Sequence, residues 1–154
     1  MTIHQLINER VQAALAAAGA PDAPAVIQPA SKPEFGDYQA NGVMGAAKAL
    51  KTNPRALAEK VVAALDLAGI ADKVEIAGPG FINIHLAPEY LARRSEAALK
   101  DDKLGLAPVK PQRVMVEYSS PNLAKEMHVG HLRSSIIGDA LARVMEYVGH
   151  DVVR

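Results

Sequence analysis

The residues best equipped for chemistry lie late in the chain, between Glu117 and Ser135. His128 and His131 are three residues apart, which on a helical turn points both imidazoles the same way. The pattern around them predicts a loop, Ser119 to Gly130, that leaves the carboxyl end of a strand and enters a helix N-terminus. Open α/β sheets bind ligands at such places. Free N–H groups and partial positive charge at the helix end suit phosphate. Two imidazoles there can donate hydrogen bonds to phosphate oxygens as charge builds on them. Lys125 adds a mobile cation on the same loop. Gly130, with no Cβ, lets backbone or a planar ring approach closely. Glu117, at the strand end, can meet a cationic substrate. Each also has a plainer reading: a chance histidine pair, a solvated lysine, a glycine turn. For Glu117 the plainer reading is a structural ion pair, since an unpaired buried carboxylate is costly. Metal binding needs a third ligand of suitable type, none is evident nearby, and no metal is expected.

A second candidate lies in Phe81-Ile-Asn-Ile-His-Leu86. Strand alternation puts Ile82, Ile84 and Leu86 on one face, the core face, and Phe81, Asn83 and His85 on the other. A phenylalanine on a polar face is either covered by a neighbouring helix or forms a platform for stacking RNA bases. Arg93 and Arg94, on the helix that follows, read as an exposed face with phosphate contact as the alternative.

These residues need elements to hold them. Ile3, Leu6, Ile7, Val11, Leu15 and Ala18 recur at helical spacing before Gly19 and Pro21. Residues 23–30 read as extended and 31–38 as a loop. Residues 39–50 read as a helix, in which Gly42 and Gly45 suggest close packing. Asn53-Pro54 starts another helix, with Leu57, Val61 and Leu65 as its buried stripe and Gly69 as its stop. Residues 73–77 and 81–86 form a hairpin around Gly78-Pro79-Gly80. Pro88 opens a helix to about Lys100. Then Asp101 to Gln112 turns charged and Pro-rich, as linkers do. Arg113 to Tyr118 reads as a strand buried on both faces. Leu132, Ile136, Ala140, Val144 and Val148 mark a long helix, and Asp151 begins another strand. The fold expected is an α+β domain over 1–102, a linker over 103–112, and over 113–154 the first βα unit of a Rossmann-like α/β domain.

Composition narrows the class. Of 154 residues 49% are hydrophobic but only 4% aromatic, so alanine (28 residues), leucine and valine must build the core. There is no cysteine, hence no disulfide framework or thiolate metal site. No apolar run approaches the ~18 residues of a membrane span. His4, Asn8, Glu9 and Arg10 interrupt any signal-peptide layout, and a cytoplasmic location is expected. The 17 basic and 17 acidic residues cancel, which excludes a polycationic nucleic-acid coat but not a local RNA site.

The string EYSSPN, then AK, then HVGHLRS strongly resembles the signature region of class I aminoacyl-tRNA synthetases in the arginyl-tRNA synthetase version. His128-Val129-Gly130-His131 stands where that family has its HIGH motif. EFGDYQAN (34–41) and GPGFINIHL (78–86) resemble the family's appended N-terminal domain. The resemblance implies ATP-dependent activation of arginine, with Mg2+ as the counter-ion of ATP, and transfer to tRNA(Arg), with tRNA needed for the first step. His128 and His131 would contact ATP phosphates and stabilise developing charge. Gly130 would lie under adenine. Lys125 matches a lysine that stands in for one in a second signature, KMSKS. Ser120 and Asn122 match residues that hold the amino and carboxylate groups of arginine, and Glu117 one that holds the guanidinium. Phe81 and Asn83 match positions that touch the tRNA elbow. No KMSKS-like sequence occurs here, so the chain is expected to be an N-terminal piece, inactive alone, of a longer, monomeric enzyme. A free-standing RNA-binding module, or another nucleotidyl-transferring α/β protein with a His-x-x-His pair, are the alternatives.

Overall fold

The computed structural model describes all 154 residues, which divide into two compact units, Met1–Glu96 and Ala97–Arg154. In the first unit α1 (Ile3–Ala17) starts at Thr2, whose hydroxyl accepts from the Gln5 N–H while the Gln5 side chain accepts from the Thr2 N–H. Such a capping box satisfies two backbone donors that the first helical turn leaves orphaned. Ile7, Val11, Ala14 and Leu15 form its buried face. Asn53 caps α3 (Pro54–Ala64) through Oδ1, which accepts from the Arg55 and Ala56 N–H groups. Leu57, Ala58 and Val61 are buried. The helix stops at Ala64 and not at Gly69, because Leu65 already turns extended; Leu65 is only partly buried.

Four antiparallel strands complete this unit, in the order β1 (Ile27–Pro29), β2 (Tyr38–Ala40), β4 (Phe81–Leu86), β3 (Ala71–Ala77). The β3–β4 hairpin is present as expected. β2 is the correction: residues 38–40 are a strand, and α2 (Gly42–Leu50) begins only at Gly42. Pairing on both sides, with β1 and β4, outweighs the helical propensity of this alanine-rich stretch. Asp37 secures the junction, since its carboxylate accepts from the Leu86 N–H at 2.7 Å and its own N–H donates to the Ile84 carbonyl at 2.9 Å. Gly42 does pack closely, against the Pro24 and Ala25 carbonyls, whereas Gly45 faces open space. Ile27, Ala40, Ile82 and Ile84 join the residues of α1, α2 and α3 in one core. α4 (Pro88–Leu99) follows with no buried residue. Arg93 donates to the Gly69 carbonyl at 3.0 Å and Arg94 to that of Met1 at 2.9 Å.

In the second unit β5 (Arg113–Met115) pairs in parallel with β6 (Asp151–Val153), joined through α5 (Val129–Val148). That is a strand–helix–strand unit. Residues 101–112 are tied to the end of α5: the Tyr147 hydroxyl donates to the Asp102 carbonyl at 2.8 Å, and the Gln112 N–H to His150 Nδ1 at 3.2 Å. The Asp101 carboxyl sits below its usual range because it accepts from the Lys103 and Gly105 N–H groups. β5 is not buried on both faces: Arg113 and Met115 are exposed, Met115 at 76%, Val114 is half-buried, and the next buried residue, Val116, lies just beyond the strand. The periodic residues Leu132, Ile136 and Val144 of α5 are exposed too, and its buried positions are Gly138 and Ala142. Periodicity identified a helix face, and no element of this unit covers it. No helix is long and apolar enough to cross a membrane.

Candidate functional site

Two candidate sites emerge, one in each unit. At the start of α5, His128 is the N-cap residue and its extended backbone turns the ring back over the helix. His128 Nδ1 accepts from the Gly130 N–H at 3.1 Å, and His131 Nδ1 accepts from the His128 N–H at 3.1 Å. The ring centroids lie 4.1 Å apart. A ring nitrogen that accepts a backbone N–H carries no proton itself, so the neutral tautomer holds its proton on Nε2. Both histidines therefore spend Nδ1 on the helix start and keep Nε2–H as a donor. A Cβ on residue 130 would stand 2.8 Å from His128 Cε1, so glycine is what admits the folded-back ring. The sequence reading gave Gly130 an adenine contact and missed this nearer reason.

A cleft of about 260 Å³ beside the helix start is lined by Glu117, Tyr118, Ser120, Met127 and His131, among others. Glu117 is exposed, not buried, and carries no desolvation cost. The Ser120 hydroxyl donates to its Oε1, leaving the second carboxylate oxygen for a cation. The structure thus brings Glu117, Ser120 and His131 into one cleft, with His128 against His131. Asn122 and Lys125 lie exposed on the loop and do not line the cleft. No cluster of His, Asp and Glu side chains is arranged to hold a metal ion.

Sequence reasoning missed what supports the cleft. Any Cβ on Gly138 would overlap the Tyr118 side chain, so the ring lies directly across the middle of α5. The Tyr118 hydroxyl donates to Asp139 at 3.4 Å. The Arg143 guanidinium, at 2.7 Å, holds the Asp139 carboxyl below its usual range. The available signal was a glycine in mid-helix, which costs about 1 kcal/mol against alanine and asks for a reason.

In the first unit, the face of the sheet opposite the core carries a polar row across four strands. Gln28, Gln39, Asn83 and Glu75 stand opposite one another in register. Phe81 and His85 flank Asn83 on the same face and are half-buried. The alternation was read correctly. Asn83, however, is only 2% exposed, and its Oδ1 accepts from Gln39 Nε2 at 2.8 Å. His85 Nε2 lies 3.3 Å from Glu75, whose carboxyl is held below its usual range by Lys73 first and His85 second. Sequence reasoning also missed Gln39, although Tyr-Gln-Ala-Asn (38–41) alternates with the period of a strand.

Residues 2–86, more than half of the chain, match the family described as the arginyl tRNA synthetase N terminal domain. The chain belongs to the arginyl-tRNA synthetase family. Residues 94–154 match the class I (R) tRNA synthetase catalytic domain. Over the whole chain the sequence is 98% identical to an arginine–tRNA ligase of Chromobacterium violaceum and 66% identical to one of Laribacter hongkongensis. It spans 27% of the length of each. The arginyl-tRNA synthetase of Plasmodium falciparum superposes with a TM-score of 0.77 at 28% identity, over 99% of this chain and 30% of that one. That of Thermus thermophilus does so with a TM-score of 0.62 at 31% identity, over 99% of this chain and 24% of that one. The arginyl-tRNA synthetase assignment disfavours the other His-x-x-His proteins as readings of the histidine pair.

Proposed function

We propose that this chain supplies two parts of an arginine–tRNA ligase: the phosphate-binding helix start of the catalytic domain and a face that holds the elbow of tRNA(Arg). The observation that carries the first part is the paired cap. His128 and His131 are each fixed through Nδ1 and offer Nε2–H at the positive end of a 20-residue helix. Donors held in place before reaction lose nothing to reorganisation when charge develops on phosphate oxygens. ATP, entering with Mg2+, would meet these donors with adenine beside Gly130, and Lys125 would reach the phosphates from the loop. Glu117 would take the guanidinium of arginine, with Ser120 and Asn122 on its amino and carboxylate groups. The enzyme is cytoplasmic and monomeric in this reading.

The test uses a full-length relative that carries residues 1–154 of this chain. His131→Ala is expected to lower arginine-dependent ATP–pyrophosphate exchange by about 10²-fold, the worth of one preorganised donor, with little change in arginine KM. Normal turnover would remove the phosphate role. Phe81→Ala is expected to weaken tRNA binding and leave ATP KM unchanged, because a stacked base contributes about 1–3 kcal/mol. Unchanged tRNA affinity would return Phe81 to local packing.

A further inference from the structure

A second cleft, of about 470 Å³, opens at the carboxyl ends of β5 and β6 and is lined by residues 116–120 and Arg154. Its charged residues are one acid, Glu117, and one base, Arg154. The Val116 N–H donates to the Val153 carbonyl at 2.9 Å, so the two strands still run side by side where Glu117 and Arg154 follow. Yet the two do not pair. Arg154 turns to α5 instead: Nη1 and Nη2 meet the two carboxylate oxygens of Glu146, each at 2.8 Å, and Nε lies 3.9 Å from Asp139. Glu117 accepts from the Ser120 hydroxyl. The two-pronged geometry sets Arg154–Glu146 apart from ordinary exposed ion pairs, most of which contribute little. Its placement also asks for a reason. Glu146 lies in the last turn of α5, where the helix dipole disfavours an anion, and no basic residue of that turn offsets it.

We propose that Glu146, assisted by Asp139, holds Arg154 off Glu117 and so keeps the subsite for the substrate's guanidinium open. Arg154 is an internal copy of the substrate side chain, and Glu146 is a positioning residue that acts through it. The proposal rests on the reading of Glu117 as the guanidinium site. Without Glu146, the Arg154 fork faces one other carboxylate in its cleft, that of Glu117, whose second oxygen is open. A guanidinium tethered beside that carboxylate competes with free arginine, and apparent affinity falls by the fraction of molecules in which Glu117 is free. With Arg154 on Glu117 in about two-thirds to nine-tenths of molecules, arginine KM rises about three- to tenfold.

The experiment uses the full-length relative carrying residues 1–154, with arginine KM and ATP KM measured by ATP–pyrophosphate exchange in the presence of tRNA. Glu146→Gln, which leaves Arg154 a neutral partner, should raise arginine KM about threefold, and Glu146→Lys, which repels it, about tenfold. ATP KM should stay within about twofold in both, because neither change reaches the helix start. Arg154→Met alone should leave arginine KM within about twofold of the unsubstituted value, and Glu146→Lys/Arg154→Met should return to it, because the competitor is gone. A merely structural tie between β6 and α5 gives the opposite pattern: Arg154→Met breaks the same bond as Glu146→Lys, and the double variant stays impaired. An arginine KM raised as much in Arg154→Met as in Glu146→Lys, or no rescue in the double variant, would therefore overturn the proposal. Glu117→Gln tests the reading beneath it and should raise arginine KM about tenfold or more, as loss of a hydrogen-bonded charge does. If it does so while Glu146→Lys is silent, the proposal alone fails. If Glu117→Gln leaves arginine KM unmoved, the guanidinium reading of Glu117 fails and takes the proposal with it.

Discussion

Replacing Gly130 with alanine separates two reasons for a glycine at that position. The new Cβ would lie 2.8 Å from His128 Cε1 and 2.9 Å from Nδ1, whereas ordinary contact begins at 3.4 Å, so the ring must withdraw by about 0.6 Å. The bond from the Gly130 N–H to Nδ1, now 3.1 Å, then lengthens toward about 3.7 Å, beyond hydrogen-bonding range. Losing a cap costs about 1 kcal/mol. Alanine regains up to about 1 kcal/mol through its helix propensity. Calorimetry of the 154-residue chain should therefore find little change in Tm. Activity should change, because the Nε2 donor of His128 moves with the ring and a misplacement of about 1 Å can cost 10²-fold. In the full-length relative carrying residues 1–154, ATP–pyrophosphate exchange should fall between about tenfold and a hundredfold in kcat. A raised ATP KM at unchanged kcat would refute this reasoning and leave adenine contact as the glycine's purpose. Unchanged kinetics would refute both.

Gly138→Ala should destabilise the second unit by about 1–3 kcal/mol, since the added carbon overlaps Tyr118; faster amide exchange along α5 checks it. Asp37→Ala strands the Leu86 N–H, which now donates at 2.7 Å, and should cost the first unit about 1–3 kcal/mol in urea denaturation. The Glu75 carboxyl is depressed, so what it adds to stability is present above the usual glutamate range and is lost as pH falls through the depressed value. An NMR titration should find that value moved up in Lys73→Met, and no movement would remove Lys73 as the leading cause.

What could be read in the sequence was what is decided locally. Asn53-Pro54 carries its cap and its rigid first residue within two positions, and the helix starts there. In Phe81 to Leu86 the alternation puts Ile82, Ile84 and Leu86 into the core as read, although Asn83 on the other face is buried as well. Tyr38–Ala40 is three residues long and owes its existence to β1 on one side and β4 on the other, which no local window contains. The side-chain partner of Asn83 is likewise Gln39, 44 residues away in sequence. His128 and His131 were legible as a spacing. Their use of Nδ1 was not, because it depends on the extended backbone of His128 and the missing side chain of residue 130. Glu117 lost its predicted burial when the strand proved to end at Met115.

The paired cap also means that each imidazole performs two jobs with two different atoms, and the genetic code contains amide surrogates for both. An asparagine oxygen sits roughly where Nδ1 does, and a glutamine nitrogen roughly where Nε2 does. His128→Asn should therefore keep α5 intact, since asparagine is among the best N-cap residues, while abolishing the outward donor. His128→Gln should keep a donor on a floppier stem while loosening the helix start. One residue position thereby offers a clean division between the architecture of a helix terminus and the reaction conducted in front of it.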